Sequence, residues 1–297
     1  MTIKEKLARI SLAASLSARE SRKALEYFQS ASAALEALKI SKIDIDDNLL
    51  KSCIVFGEAL FPRELAEILD CPLVIYYKGN ISLLSETYNR IALVGTRRPS
   101  EYGRRVAQRF VIEAVELGLV TVSGMAYGID SDIHNYTLDC NGKTIAVLGT
   151  GISKIYPSGN QYLAERIIDN NGLIISEYYA VDSYNKWVFP RRNRIIAGLA
   201  ENTIVIEAGL KSGALVTAEL ALDYNRNVFV TPGSIFNPNS FGCNNAIKEL
   251  KAGLITSVYD VYPSRNIHNQ NQDNNVEYVS KLPIAEALSL MGNSEIC

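Results

Sequence analysis

Residues 1–40 carry apolar side chains three to four positions apart, which is the repeat of one face of a helix. Leu7, Ile10 and Leu25 belong to this stripe. With the shorter helical patterns that follow, the stripe predicts a small helical N-terminal domain over residues 1–70. An amphipathic helix on a membrane surface is the alternative, although the polar face of the stripe is not strongly basic.

From about residue 71 the pattern changes, because short continuous apolar runs alternate with stretches of helical periodicity. Continuous apolar runs are typical of parallel strands that are covered on both faces. Their alternation with helices predicts an α/β fold, a doubly wound and mostly parallel sheet over residues 71–262. The predicted strands are 73–77, 91–94, 119–122, 144–148, 173–175, 203–206 and 228–230. The predicted helices between them are 102–117, 129–140, 161–170, 191–197, 217–224 and 243–251.

The C-terminal residues differ from this domain in composition. Residues 263–275 are rich in Asn, Gln and Asp, which is typical of a flexible linker. Residues 276–297 are too few for an independent domain. We therefore expect 263–297 to form a polar linker and a short tail.

The chain has 297 residues, of which 47% are hydrophobic, and a formal net charge of -2. This charge argues against a surface coated in basic residues, but it allows a local basic patch. No run of about 18 apolar residues predicts a membrane span, and residues 1–12 lack the apolar core of a signal peptide. We therefore expect a cytoplasmic protein that does not bind membranes.

The cysteines and histidines do not form a metal-binding pattern. The five cysteines lie far apart without a C-x-x-C pair, and His134 and His268 are the two histidines. A structural zinc site is therefore not expected, and reduced cytosolic thiols are the simpler interpretation.

Glycines follow the predicted strands, where ligands bind in an open α/β sheet. Glycine allows backbone N–H groups to approach an anion, and helix N-termini add favourable dipoles. Ordinary tight turns are the alternative interpretation. The glycines concerned are Gly95, Gly124, Gly128, Gly149, Gly151, Gly209, Gly213 and Gly233.

Arginines gather at two of these strand ends, and their guanidinium groups suit phosphate oxygens. We interpret Arg97 and the segment Arg192–Arg194 as phosphate contacts. Asn193 can hydrogen-bond to a base, a sugar or its own backbone. The arginines of the following helix, Arg104, Arg105 and Arg109, are interpreted as solvated or paired. Candidate faces for base stacking are Tyr102, Tyr127, Tyr156, Trp187 and Phe189.

Known cofactor fingerprints are absent from the sequence. Lys154 stands where the turn Gly149-Thr150-Gly151 would need the third glycine of a dinucleotide site, and no G-x-x-x-x-G-K-[ST] occurs. We therefore expect no cofactor.

Catalytic patterns are weak. The serines Ser123, Ser176 and Ser212 have no sequence-adjacent base, and His134 is expected to pack or cap a helix. Glu177 and Glu207 both follow strands. They can form a carboxylate pair, or they can hold Arg192 or Arg194 in place, which is the interpretation we favour.

Residues 72–256 closely resemble the DprA/Smf family of bacterial DNA-processing proteins. The matching segments occur in family order and at family-like spacing, so that together they are highly specific. They are YYKGN (76–80), IALVGTRRPSEYG (91–103), SGMAYGIDSDIH (123–134), KTIAVLGTGISKIYPSGN (143–160), ISEY (175–178), FPRRNRIIAGLA (189–200), VIEAGLKSGALVTAELA (205–221) and VFVTPGSI (228–235).

The resemblance implies an extended Rossmann-like fold with a small SAM-like helical domain, and no winged-helix domain within residues 263–297. It implies a non-enzymatic protein of natural transformation that binds single-stranded DNA, protects the incoming strand, helps to load the recombinase RecA and forms a homodimer. Carried over by motif, the DNA contacts are Gly95, Thr96, Arg97, Lys143, Arg192, Asn193 and Arg194. The residues that shape the pocket are Ser123, Gly124, Gly128, Gly149, Ser212, Gly213 and Thr217.

Two other function classes stay open at this point. One is a nucleotide N-glycosidic hydrolase of a related Rossmann group, faintly suggested by Pro232-Gly233-Ser234 and Glu207. The order and spacing of that group's motif are not matched. The other is a protein-interaction module, which accounts for the N-terminal helices but not for the glycines and arginines.

Overall fold

The computed structural model of the chain describes residues 2–41, 50–179 and 188–262. The predicted linker and tail, residues 263–297, lie outside these ranges, as do Trp187 and the side chain of Phe189. No helix in the described ranges is both long and apolar enough to cross a bilayer.

The N-terminal stripe folds into helices α1 (Ile3–Ser15), α2 (Ala18–Phe28) and α3 (Ala31–Ala37). Ser17 begins α2 with a capping box, in which its hydroxyl accepts from the Glu20 N–H and the Glu20 carboxylate accepts from the Ser17 N–H. The apolar faces of these helices share a core with the sheet, through residues that include Ala8, Ile10, Leu25, Ala31, Val74 and Tyr76.

A single nine-stranded sheet forms the centre of the chain. Its strands are β1 (Cys53–Val55), β2 (Val74–Gly79), β3 (Arg90–Val94), β4 (Val120–Ser123), β5 (Thr144–Leu148), β6 (Leu173–Ser176), β7 (Asn202–Val205), β8 (Asn227–Val230) and β9 (Gly253–Leu254). The spatial order is β1-β2-β6-β5-β4-β3-β7-β8-β9. β1 and β2 run antiparallel to their neighbours, and the remaining pairs are parallel.

Helices cover both faces of this sheet. Alternate strand residues belong to different apolar clusters, such as Ile145 and Val147 to one and Ala146 and Leu148 to the other, because successive side chains of a strand point to opposite faces. The covering helices are α4 (Arg63–Ala66), α5 (Glu101–Glu116), α6 (Ile129–Asp139), α7 (Gln161–Asp169), α8 (Val188–Leu199), α9 (Gly213–Asp223) and α10 (Phe241–Lys248). This confirms the predicted doubly wound, Rossmann-like α/β fold.

The strand order reverses at β3. From β3 the chain passes through β4 and β5 to β6 on one side, and then returns to place β7, β8 and β9 on the other. The carboxyl ends of β3 and β7 are neighbours, with Val94 opposite Val205. Ligands of open α/β sheets bind in the crevice at such a switch point.

Contacts cross the predicted domain boundary at residue 70, which stays a prediction. Strand β1, which precedes residue 70, pairs antiparallel with β2, with Ile54 opposite Ile75. Residues 1–261 form one compact unit. The N-terminal helices therefore pack onto the sheet rather than forming a separate core. β1 was missed because a strand of three residues is too short to show a period.

Candidate functional site

Two glycines allow the turn after β3 to pack directly on the start of α6. A Cβ on Gly95 would lie 2.7 Å from the Ile129 side chain, and one on Gly128 would lie 2.5 Å from the Thr96 carbonyl oxygen. Gly128 also has φ of 82°, which side-chain-bearing residues rarely adopt. The Ile129 N–H donates to the Thr96 carbonyl at 3.1 Å. This contact holds the turn that carries Arg97 at the carboxyl edge of the sheet.

Glu207, which follows β7, holds the same turn from the other side. Its backbone carbonyl accepts from the Thr96 N–H at 2.7 Å. Its carboxylate accepts from the Ser100 N–H at 2.8 Å and from the Ser100 hydroxyl at 2.6 Å. Gly103 leaves room for this carboxylate, since a Cβ there would lie 2.4 Å from Glu207 Oε2. Glu207 therefore organises the start of α5, and the predicted pairing of Glu207 with an arginine is wrong.

A cavity opens where β3, β4 and β5 end. Its lining combines tyrosine rings with guanidinium groups. Tyr127 and Tyr156 are 53% and 41% exposed, so their rings are accessible to a ligand. The residues that line it are Arg97, Gly124, Ala126, Tyr127, Gly149, Tyr156, Pro157 and Arg192. Aromatic faces beside fixed cations suit a ligand that has both flat rings and negative charge.

Arg192 lies beneath this cavity as a buried cation. Its Nη1 donates to the carbonyls of Gly124 and Val147, the latter at 2.5 Å, and its Nε donates to Asn193 Oδ1 at 3.0 Å. Burial lowers its pKa to about 10, so it stays protonated at neutral pH. Gly124 is required here, because a Cβ would lie 2.5 Å from Arg192 Nη1. The side chain therefore mainly holds together the ends of β4 and β5. Its Nη2 makes no hydrogen bond to a described residue.

Asp130, which sequence reasoning missed, is a buried acidic residue whose charge interacts with that of Arg192. It is buried in the first turn of α6, and a Cβ on Gly124 would lie 2.6 Å from its Oδ2. Burial raises the pKa of this carboxyl group, whereas the charge of Arg192 and a hydrogen bond from the Ala126 N–H oppose the rise. The available sequence signal was an acid in the first turn of a helix, which is too common to single out a site.

Arg194, which was predicted to contact a phosphate, does not line the cavity. Its Nη2 lies 2.5 Å from Glu177 Oε1, and its Nε lies 3.7 Å from Asp70 Oδ2. Tyr224 donates to the same Asp70 carboxylate at 2.7 Å. Burial acts to lower the pKa of Arg194, but the charges of Glu177 and Asp70 outweigh it and raise this pKa. The favoured interpretation of Glu177, that it holds an arginine in place, is confirmed.

Lys143, which was predicted to contact DNA, lies at the edge of the sheet opposite the cavity. It directly precedes β5, and its Nζ donates to the Asn170 carbonyl at 3.0 Å. Gly95, Gly124 and Gly149, by contrast, directly follow strands. The family motif begins one residue before the strand, and the spacing of a motif does not tell which end of the strand forms the site.

The remaining predicted positions support the cavity to different degrees. Ser123 is buried and donates to the Leu93 carbonyl at 2.7 Å. Ser212 caps α9 by accepting from the Ala214 N–H, and Thr217 is buried in that helix. Asn193 Nδ2 donates to the Gly213 carbonyl at 3.3 Å. Gly213 therefore contacts α8, and none of Ser212, Gly213 and Thr217 is among the described residues that line the cavity.

The arginines of α5 behave as predicted. Arg104 lies 3.3 Å from Asp132, and Arg109 lies 2.7 Å from Glu113, so both are paired. Arg105 is exposed on the same helix. The packing interpretation of His134 is also confirmed, because it is fully buried and its Nδ1 lies 2.7 Å from Thr144 Oγ1.

Comparison with known proteins assigns the family. The sequence model of the family described as DNA recombination-mediator protein A matches residues 52–266, which include every predicted site residue. The chain belongs to the DNA recombination-mediator protein A family. It is 45% identical to DNA processing protein DprA of Streptococcus pneumoniae over 201 residues, which are 68% of this chain and 70% of that protein.

Solved structures of this family show the same fold. The structure of DprA from Streptococcus pneumoniae matches with a TM-score of 0.74 and 34% identity, covering 90% of this chain and 99% of that one. DprA from Helicobacter pylori, described for its single-stranded DNA binding mode, matches with a TM-score of 0.63 and 30% identity. That match covers 70% of this chain and 93% of the other.

Proposed function

We propose that this chain binds single-stranded DNA at the cavity where β3, β4 and β5 end. The observation that carries the proposal is the combined lining of this cavity, with Tyr127 and Tyr156 exposed beside Arg97 and with Arg192 beneath them. Family membership supports it, since a relative from Helicobacter pylori is described by its single-stranded DNA binding.

The chemistry of the lining explains a preference for single strands. Tyrosine rings can stack on bases only when the base faces are free, and in a duplex those faces are already stacked. Arg97 reaches the exposed edge on a turn that is fixed by Gly95, Gly128 and Glu207. Its guanidinium group would contact a phosphate while the neighbouring base lies against a ring. Arg192 adds a positive charge beneath the cavity, and its hydrogen bonds to backbone carbonyls hold that charge in place.

The wider process is part of the proposal. The family is described as a DNA recombination mediator, and a relative is called a DNA processing protein. These descriptions support a function in which the protein delivers a bound strand to a recombinase of the RecA type. We propose the same for this chain, in natural transformation, with protection of the strand until delivery. A strand-exchange assay with purified recombinase tests the delivery, and nuclease digestion of the complex tests the protection.

A homodimer also belongs to the proposal. Leu250 and Leu254 are 92% and 52% exposed at the end of α10 and in β9, which supports burial of this face against a second copy. Sedimentation of the wild type and of Leu250→Arg tests it. The proposal requires that the substitution shift the protein to the monomer.

The hydrolase alternative gains no support from the site. It needs a carboxylate that faces the ligand, and Glu207 is buried and accepts hydrogen bonds from Ser100. No carboxylate lines the cavity within the described part of the chain. Incubation with nucleoside monophosphates, followed by chromatography for the free base, is the direct check of this alternative.

The first experiment reverses one charge at the cavity. Arg97→Glu should weaken the binding of a single-stranded oligonucleotide by at least about tenfold, because it replaces a charge-assisted hydrogen bond by repulsion. Arg105→Glu is the matched control, since it changes the net charge equally at an exposed position outside the lining. Equal affinity of the two variants removes Arg97 from the site and the proposal with it.

A further inference from the structure

An exposed apolar surface lies at the carboxyl ends of β7 and β8, outside the cavity. Leu210 follows β7 and is 61% exposed, while Ile235 and Phe236 follow β8 and are 73% and 87% exposed. We call these residues the Phe236 patch. Large apolar side chains that are exposed together mark an interaction surface, whereas a single exposed side chain does not.

The loop that carries the Phe236 patch is fixed to the turn that carries Arg97. Asn239 Nδ2 donates to the Arg98 carbonyl at 2.9 Å, and Asn237 Nδ2 donates to Glu207 Oε1 at 3.4 Å. The Tyr102 hydroxyl donates to the Pro232 carbonyl at 2.6 Å. These contacts hold the loop that carries the Phe236 patch against the turn of Arg97, which lines the cavity.

The distance between the two surfaces is short. The strands β4, β3, β7 and β8 are consecutive neighbours in the sheet. With neighbouring strands about 4.8 Å apart, the ends of β4 and β8 are separated by roughly 15 Å. A strand of nucleic acid that occupies the cavity can therefore reach the Phe236 patch within a few nucleotides.

The charges around the Phe236 patch favour a nucleic acid over a protein. Arg98 and Lys211 are exposed beside it, and neither side chain forms an ion pair with any residue that the structure describes. Of the nearby acids, Glu207 is buried beneath the turn, and Glu101 is exposed in the first turn of α5. Aromatic and apolar side chains between unpaired cations are the combination that binds single-stranded nucleic acids without sequence preference.

We propose that the Phe236 patch is a second contact surface for the same single strand. Leaving the cavity, the strand crosses the ends of β3 and β7 above Arg98, and a base stacks on Phe236 while Arg98 and Lys211 contact phosphates. This inference rests on the proposed function of the cavity, and it adds a direction of the strand across the sheet edge, from β4 toward β8.

The test compares oligonucleotides of increasing length. Phe236→Ala and its control, Tyr27→Ala, each remove an exposed ring, because Tyr27 is 81% exposed on the N-terminal helix α2. Their binding to oligothymidylates is measured from about 4 to about 16 nucleotides, the range of site sizes in comparable single-strand proteins. Phe236→Ala should bind the shortest oligomers like wild type and lose about 5- to 150-fold in affinity for the longest, the effect of one stacked base. Tyr27→Ala should match wild type at every length.

Other outcomes separate the failure of this inference from the failure of the proposed function. Unchanged affinity of Phe236→Ala at every length, with Arg97→Glu still impaired, overturns the second surface and leaves the cavity intact. Unchanged affinity of both variants contradicts the cavity as well. If Phe236→Ala instead changes the sedimentation of the free protein and leaves its affinity unchanged, the Phe236 patch covers a second copy of the chain and the inference is overturned.

Discussion

Gly128→Ala tests whether close backbone packing positions Arg97. Gly128 precedes α6 with φ of 82° and ψ of -132°, a conformation that residues with a Cβ rarely adopt. A Cβ there would lie 2.5 Å from the Thr96 carbonyl oxygen and 2.6 Å from the Arg97 carbonyl carbon. Both are backbone atoms and cannot rotate away, so the turn after β3 has to move.

The cost has two parts. Forcing alanine into this conformation costs about 1–3 kcal/mol, and overpacking against a fixed neighbour costs about 1–3 kcal/mol. Together these are a large fraction of a total stability of about 5–15 kcal/mol. The summed cost is about 2–6 kcal/mol. At about 2–4 °C for each kcal/mol in a domain of this size, we expect the melting temperature to fall by roughly 4–24 °C.

Thermal unfolding followed by circular dichroism measures this cost. Gly213→Ala is the matched control, because a Cβ at Gly213 would have nothing within 4 Å. Its melting temperature should stay the same or rise slightly, since alanine reduces the entropy of the unfolded chain. Below its own transition, Gly128→Ala should also bind oligonucleotides more weakly than Gly213→Ala does. Equal melting temperatures for the two variants would refute the packing argument.

Further predictions concern the buried groups and the cavity wall. Arg194→Met leaves Glu177 unpaired and should lower the free energy of unfolding in urea by about 3–5 kcal/mol, with no loss of oligonucleotide affinity in the folded variant; a loss of affinity without destabilisation contradicts the assigned pairing. Burial lowers the pKa of His134 to about 3, so between about pH 6.5 and that value the unfolded chain binds a proton that the folded chain does not. The free energy of unfolding attributable to His134 should therefore fall on acidification by up to about 1.4 kcal/mol per pH unit. Urea titrations in which the free energy of unfolding of wild type and of His134→Gln changes equally with pH would contradict this. Tyr127→Ala should weaken the binding of a single-stranded oligonucleotide by about 5- to 150-fold in a fluorescence anisotropy titration, and an unchanged affinity rules out stacking on that ring.

The sequence predicted the sheet well because its strands are buried on both faces. Each predicted strand occurs within two residues of its observed bounds, for example 144–148 for β5 and 91–94 for β3. Continuous apolar runs between glycine turns leave few other interpretations. The short strands β1 and β9 were missed, since three and two residues carry no periodicity.

The candidate site was predicted less completely, because residue type and position do not determine a side chain's partners. Arg97, Arg192 and Arg194 have similar sequence surroundings, yet the structure exposes the first, buries the second beneath the cavity and pairs the third with Glu177. That difference depends on Asp70, which lies 124 residues from Arg194 along the chain. Long-range partners of this kind follow from the tertiary packing and leave no local pattern.

The salt dependence of single-strand binding measures whether Arg97 binds the phosphate backbone at the cavity. The affinity of wild type and of Arg97→Ala for one oligothymidylate is measured over a series of salt concentrations, with Arg105→Ala as the control. If Arg97 binds a phosphate, Arg97→Ala should reduce the slope of log affinity against log salt by about 0.7, the contribution of one phosphate contact on a single strand. The control should keep the wild-type slope. A slope for Arg97→Ala equal to that of wild type would contradict the claim that Arg97 binds the phosphate backbone at this cavity.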